Sequence, residues 1–256
     1  MRSVAYGSHF KTCHIWFEQF SSNEDLNRLK QECFGNDCLV VHANEIPLVT
    51  GSIKQESLFS DLYMSDSQLL SLMTKTIRNE INRAERENVE VEYYSNESDC
   101  FEVLNAFSKM YHEMYEQKGL KGIKLPVKEL SGYIKAKQLL ISCAKIDGKP
   151  IVFHSYVYGD RNSRLLHSCS EFRTEDNATR NAIGRANKYL HWRDMLYLKN
   201  NAVMNYDWGG VSSLSNPNGI DQFKLSFGAT PLVYFNFTIP LTIKYKVYSF
   251  LSHILR

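Results

Sequence analysis

A change of hydrophobic period near Leu139 restricts this chain more than any other feature. Leu139 to Ile146, Ile151 to Tyr158 and Arg164 to Phe172 are three short apolar-rich runs that read as strands. The joints between them, Asp147-Gly148-Lys149-Pro150 and Gly159-Asp160-Arg161-Asn162-Ser163, have turn composition, so the three runs predict an antiparallel meander. The period then lengthens. A long helix is predicted from about Asn177 to Lys199, with Ile183, Ala186, Leu190 and Tyr197 on one face and Trp192 and Met195 on the other. A helix apolar on two sides needs cover on both. Val203 to Asp207 reads as a strand, the segment around Phe223-Lys224 as one or two helical turns stopped by Gly228, and Leu232 to Phe237 as a last strand. A meander followed by strand and helix in alternation needs a crossover to bury both sheet faces. The expected class is therefore α/β in the α+β sense, a mixed, largely antiparallel central sheet flanked by helices.

Upstream the pattern is weaker. Short strands are predicted at Cys38-Leu39-Val40-Val41 and Ile46-Pro47-Leu48-Val49. From Ser65-Asp66, Leu69, Leu70, Met73, Ile77, Ile81 and Ala84 recur at steps of three and four and predict one helix. Its other faces carry Arg78 and Arg83 among acidic neighbours, either as solvated ion pairs or as phosphate contacts. Val89 to Tyr94 alternates like a strand, a helix with Phe101, Leu104, Tyr111 and Tyr115 on one stripe runs from near Ser98 to Lys118, and a short helix follows from about Val127 to Lys137. The expected organisation is a segment 1–64 packed on or partly completing a main domain of 65–242, then an amphipathic helix over 243–256.

Bulk properties exclude several classes. Lys and Arg number 30 against 28 Asp and Glu, a formal charge of +2, so any polyanionic partner must be met by a local patch. The 6 cysteines form neither Cys-x-x-Cys pairs nor a zinc-finger spacing with histidine, and read as reduced thiols. No segment has the ~18 consecutive apolar residues of a membrane span, and no leader is evident, so the expected compartment is the cytoplasm.

Asn205-Tyr206-Asp207-Trp208-Gly209-Gly210-Val211 ends a strand in a carboxylate and two glycines. After a polar loop comes Gly219-Ile220-Asp221-Gln222-Phe223-Lys224-Leu225-Ser226-Phe227-Gly228. An acid at a strand end, glycines that admit a ligand to the backbone, and a lysine on the next turn make a candidate pocket. The element order, with Asn181-Ala182-Ile183-Gly184-Arg185-Ala186-Asn187-Lys188-Tyr189-Leu190-His191-Trp192 in the long helix, resembles the GNAT-like acyltransferases. Tyr206 to Gly210, Gly219 through Phe223-Lys224 to Gly228, and Thr76-Ile77-Arg78-Asn79-Glu80-Ile81-Asn82-Arg83-Ala84 resemble the FemAB-type branch, over roughly residues 65 to 238. That branch contains aminoacyl-tRNA-dependent peptidoglycan transferases and single-domain proteins that acylate sugars of surface polysaccharides. The peptidoglycan enzymes pair two such domains, often with a coiled-coil arm, which this chain is too short to hold.

The resemblance implies acyl-CoA (acetyl-CoA or similar) as donor, its pyrophosphate held by backbone amides around Asn181, Gly184, Arg185, Ala186 and Asn187, although the family has Gln or Arg where Asn181 stands. It implies Phe223 and Lys224 as the functional pair; with Asp207 they make the expected catalytic group, and Arg78, Arg83, His154, His167, Tyr206 and Trp208 are the expected acceptor contacts. No Ser-His-Asp or Cys-His order stands out, so direct attack in a ternary complex is expected. Asp207 either takes the amine proton or caps its own Gly-Gly turn. Lys224 either stabilises developing negative charge or is a solvated lysine. His154 and His167 fall on neighbouring strands and are expected to reach one cleft, or else to be packing residues. With no third ligand placed, no metal is expected.

The expected function is N-acyl transfer to an amino sugar, nucleotide- or lipid-linked, in surface polysaccharide synthesis. The alternatives are FemAB-type transfer from aminoacyl-tRNA and a binding protein without catalysis. Oligomeric state is left open. The tail places Val247, Phe250, Leu251 and Ile254 on one face beside Lys244, Lys246 and Arg256, so it docks on the protein body, on a second subunit, or on the inner surface of the membrane.

Overall fold

Ten strands pair into one sheet in a computed structural model of the chain, which describes residues 2–6, 9–18, 22–43, 52–171 and 176–254. The first half supplies β1 (Arg2–Tyr6), β2 (Lys11–Glu18), α1 (Asn23–Glu32), β3 (Cys38–Ala43), β4 (Ile53–Asp61), α2 (Asp66–Leu72), α3 (Lys75–Arg86), β5 (Glu90–Tyr94), α4 (Glu97–Gln117) and α5 (Val127–Lys135). The second supplies β6 (Leu139–Ile146), β7 (Lys149–Gly159), β8 (Asn162–Ser170), α6 (Asn177–Asn200), β9 (Asn205–Gly210), α7 (Gly219–Leu225), β10 (Thr230–Pro240) and α8 (Ile243–Ile254). Across the sheet the order is β1-β2-β3-β10-β4-β9-β8-β7-β6-β5. Only β2 with β3 and β8 with β9 run parallel among the described strands.

The predicted meander is β6 to β8. Asp147 and Gly148 have φ of 50° and 73°, Asp160 and Arg161 of 49° and 67°, the left-handed pairs that two-residue hairpin turns require. Its third strand stops at Ser170, and Phe172 lies outside the described residues. β7 is buried from Ile151 through Val157, so helices cover both of its faces. On one side α4 lays Phe107 on Phe153, with ring centroids 5.4 Å apart. On the other, Ala186 and Leu190 of α6 share a core with Leu140, Val152 and Tyr156. Trp192 and Met195 are buried too, as a doubly covered helix demands. On α4 the buried stripe is Cys100, Leu104, Phe107, Tyr111 and Met114, and Phe101 lies at its exposed margin.

The helix predicted from Ser65 to Ala84 is two helices. Thr74 is extended, its hydroxyl accepts from the Ile77 N–H, and it starts α3 anew. Arg78 donates to the Leu70 and Met73 carbonyls and so closes α2. The apolar period survives the break because both helices bury the same side, through Leu69, Met73, Ile77, Ile81 and Ala84. α7 docks on this joint. Gly228 has φ 77°, and a Cβ there would lie 2.5 Å from Leu72 Cβ, so only glycine fits. The Thr74 N–H donates to the Ser226 carbonyl at 2.9 Å and holds the contact.

The predicted Cys38-Val41 strand is β3, and Ile46-Val49 lies outside the described residues. β10 pairs with β3 through Phe235–Pro240 and with β4 through Thr230–Asn236. At the C-terminus, Tyr245 of α8 meets Phe10 edge-on and Tyr248 packs tilted against it, while Ile243, Val247, Phe250 and Leu251 stay exposed. The side chains of Ile254 and Arg256 lie outside the described residues.

Candidate active site

β8 and β9 pair only through Asn162–Arg164 with Asn205–Asp207. Beyond Arg164, β8 stays with β7 while β9 follows β4, and the two strands part. The wedge between them holds a cavity of about 320 Å³. Met114, Tyr115 and Lys118 line it from α4, Asn187 and His191 from α6. Because α4 and α6 cover opposite faces of the sheet, a cavity reaching both passes through it. Trp208, Phe223 and Lys224 complete the wall.

At the apex of the wedge sits Asp207, 6% exposed. Its carboxylate accepts from the Ser57 hydroxyl, from the Gly209 N–H at 2.8 Å and from Arg164. Arg164 also donates to the Tyr234 hydroxyl and stacks over that ring at 4.4 Å. Three donors, one of them a guanidinium, occupy the carboxylate, and Asp207 does not line the cavity. Of the two readings of this residue, the geometry gives the cap of the Gly-Gly turn, extended into a clamp that joins β8, β9 and β4. Gly209 has φ 77° and its position for a Cβ is 3.1 Å from the Leu165 carbonyl, so the turn presses against β8 where the strands begin to separate.

Lys224 and Phe223, the pair the resemblance implies as catalytic, line the cavity from α7. Asn218 caps α7, and Asp221 returns the bond to complete the box, which fixes the helix on the cleft wall. Lys224 is 8% exposed and donates to the Gly210 carbonyl at 2.6 Å and the Gly209 carbonyl at 3.3 Å. An ammonium has three protons, so one remains for the cleft. Burial pushes the Lys224 pKa below its ordinary value, opposed by Asp221 and Asp207.

His154 and His167 do not share a cleft. His154 pairs in register with Ser168 and His167 with Ser155, so the two side chains leave opposite faces of the sheet. His167 meets the Tyr111 ring of α4 at 5.6 Å. His154 is fully buried against α6, with Nδ1 2.8 Å from Asp194 and Nε2 2.9 Å from Asn187. Tyr156 donates to the same Asp194 oxygen at 2.6 Å and lies 2.8 Å from the Tyr206 hydroxyl. Tyr206 in turn lies 2.8 Å from His191 Nδ1. The implied acceptor contact Tyr206 is thus a buried link, and Trp208 is the one of the pair that borders the cleft.

The sequence reading passed over His191, Asp194 and Tyr156. A signal existed: Asn187, His191 and Asp194 stand at i, i+4 and i+7, a polar stripe on a helix that is apolar on two sides. His154, His191 and Asp194 offer ligand atoms within 4.8 Å of one another. Their nitrogens do not converge on one point, since the two imidazoles stack at 4.0 Å with planes 30° apart.

The expected pyrophosphate cradle is absent from Asn181 to Asn187. α6 begins at Asn177, so these residues sit in its interior with their amides in the helical ladder. The free amides of its first turn, on Ala178 and Thr179, are already capped by the Asp176 carboxylate. Arg185 is 6% exposed and forms a two-point ion pair with Glu87, at 2.8 and 2.9 Å. Only Asn187 of the five reaches the cleft. Of the two arginines of α3, Arg78 is engaged on the end of α2, and Arg83, an exposed side chain, pairs with Glu87 at 2.8 Å.

No family model matches the chain, and neither does any curated protein. Solved structures do. FemX superposes with a TM-score of 0.62 at 12% identity, covering 97% of this chain and 89% of that one. The C-terminal domain of a protein assigned as a lysylphosphatidylglycerol synthetase in Agrobacterium fabrum gives 0.55 at 11% identity, over 92% and 79% of the two chains. L-PGS from Bacillus licheniformis gives 0.55 at 13%, over 96% and 82%. At such identities the likeness shows the fold alone: the chain shares the fold of FemX and of the lysylphosphatidylglycerol synthetase domains.

Proposed function

We propose that this protein transfers an acyl group to a primary amine inside the cleft between β8 and β9, by direct attack in a ternary complex. The observation that supports the reading is that the cleft is lined by α4 from one face of the sheet and by α6 from the other, with Trp208 and Lys224 on its wall, so that donor and acceptor could approach it from different sides. The third proton of the Lys224 ammonium, left over from its bonds to Gly209 and Gly210, supports a role as donor to the oxyanion of the tetrahedral intermediate.

The donor is an aminoacyl ester carried on tRNA rather than acyl-CoA. Two features support this choice: α6 presents no free amides to a pyrophosphate at Asn181–Asn187, and the resemblance is to the branch that contains aminoacyl-tRNA-dependent enzymes. A local basic patch also exists. Lys118 is at the cleft mouth, and Lys121, Lys124 and Lys128 are exposed in the segment after it. The acceptor is the amine of a nucleotide- or lipid-linked amino sugar. A second cavity of about 380 Å³ shares Met114 and Ser170 with the cleft, and its apolar floor of Met110, Pro150 and Phe153 lies under the Lys149–Glu171 ion pair. Such a surface suits a sugar, which is apolar on its ring face and polar at its edge.

The test is to incubate the full chain and an amino-sugar nucleotide with either acetyl-CoA or a set of aminoacyl-tRNAs, following the acceptor by mass. A new amide with aminoacyl-tRNA alone is the expected result. An amide with acetyl-CoA would return the donor to CoA. No amide from either, with thermal stabilisation by the sugar nucleotide, would leave a binding protein.

A further inference from the structure

The cleft wall contains an imidazole whose protonation is set from behind by a buried chain of hydrogen bonds. Asp194 is fully buried, and its Oδ2 accepts from Tyr156 at 2.6 Å. With its only proton on the carboxylate, Tyr156 accepts from Tyr206 at 2.8 Å. The proton of Tyr206 is then used as well. Its oxygen must accept from His191 Nδ1, also at 2.8 Å, so Nδ1 carries the hydrogen and the lone pair of the neutral ring falls on Nε2. That nitrogen has no hydrogen-bond partner among the described residues, and His191 borders the cleft.

We infer that His191 Nε2 is the proton acceptor of the cleft, and that Asp194, Tyr156 and Tyr206 are positioning residues that hold its tautomer. The inference rests on the transfer reading above. As the amine nitrogen bonds to the ester carbonyl carbon, its proton passes to Nε2. When the C–O ester bond breaks, the same proton goes to the departing hydroxyl oxygen, and the imidazole returns to its starting state. Nδ1–H stays on Tyr206 throughout, so the relay orients the ring and its buried carboxylate balances the transient imidazolium.

Several groups face this ring. His154 of β7 stacks on it at 4.0 Å, and Lys224 of α7 borders the same cavity. Trp208 of β9 and Phe223 and Phe227 beyond contribute only apolar ring surface, and the carboxyl of Asp194 on its own helix lies within 4.8 Å of it. Burial first, then His154 and Lys224, push the His191 pKa well below its ordinary value. The ring is therefore neutral, and ready to accept, at neutral pH.

Nitrogen-15 NMR of the imidazoles in the full chain reads the tautomer without any substrate. Nδ1–H with an unprotonated Nε2 is expected for His191, and Tyr206→Phe should shift it toward a mixture. The opposite tautomer in the unaltered protein would overturn the inference. Kinetics supply the second arm: His191→Gln should lower kcat by about 100-fold or more, remove the acid limb of the pH profile and leave the donor KM little changed. Retention of both rate and acid limb would overturn the inference even if transfer itself is confirmed. A total lack of transfer with every donor would instead strike at the function proposed above, while the NMR arm still decides the tautomer.

Discussion

At the scale of the residue, the cleft separates groups that clamp from groups that react. Asp207 belongs to the first kind, because removing its charge leaves the Arg164 guanidinium, 12% exposed, without a counter-ion. Breaking a buried pair by one partner costs roughly 3–5 kcal/mol, so Asp207→Asn should lower the urea midpoint sharply and slow transfer by the folded protein less than tenfold. A loss of ~100-fold or more in rate at unchanged stability would restore Asp207 as the base. The strand end at Asp207 and the Phe223-Lys224 turn were legible because both are local motifs, read from consecutive residues. His191 was not. Its role comes from Tyr206 and from Tyr156 and Asp194 behind it, side chains on three elements whose register no single sequence displays. The same limit misled the reading of His154 and His167, since strand alternation sends them apart only once Ser155 is known to face His167.

At the scale of the element, boundaries set by caps outweighed the motif in α6. The resemblance placed a phosphate cradle at Gly184, yet Asp176 starts the helix two turns earlier and puts that glycine in its interior. A Cβ on Gly184 would meet only Lys188 Nζ, at 3.9 Å. Gly184→Ala should therefore raise stability, by up to ~1 kcal/mol from helix propensity, and leave donor affinity unchanged in a binding titration. A drop in donor affinity would put the cradle back. The meander, α4, α6 and the strand order of the second half were legible from period alone. The break between α2 and α3 was not, because both helices bury one continuous apolar side and the only mark of the joint is Thr74 acting as a cap.

At the scale of the molecule, burial of several imidazoles makes stability depend on pH. His14, His42, His167 and His191 all have pKa values lowered by burial, that of His42 to about 3. The unfolded chain binds protons at these rings near the ordinary value of 6.5, whereas the folded protein does not until lower pH. Unfolding thus takes up protons, and stability is full above that value and falls as pH drops toward about 3. Urea midpoints at about pH 7.5 and about pH 5 should show the acid sample weaker, and equal midpoints would count against the burial of these rings. The tail gives a second prediction. α8 exposes Ile243, Val247, Phe250 and Leu251 and carries lysines without acids, so the full chain should sediment with anionic vesicles at low salt and a chain lacking 243–256 should not. Full-length protein left in the supernatant at low salt would mean that this face is covered otherwise. The place of β10 between β3 and β4 has a consequence for synthesis. β3 leaves the ribosome with its β10 edge unmated and β4 with both edges unmated, since β9 and β10 come later, and Thr230 follows Asp61 by roughly 170 residues, a wait of roughly ten to thirty seconds at ~5–20 residues per second. The nascent protein therefore spends most of its translation with a slot in its first half-sheet, one that only its own last strand is shaped to fill.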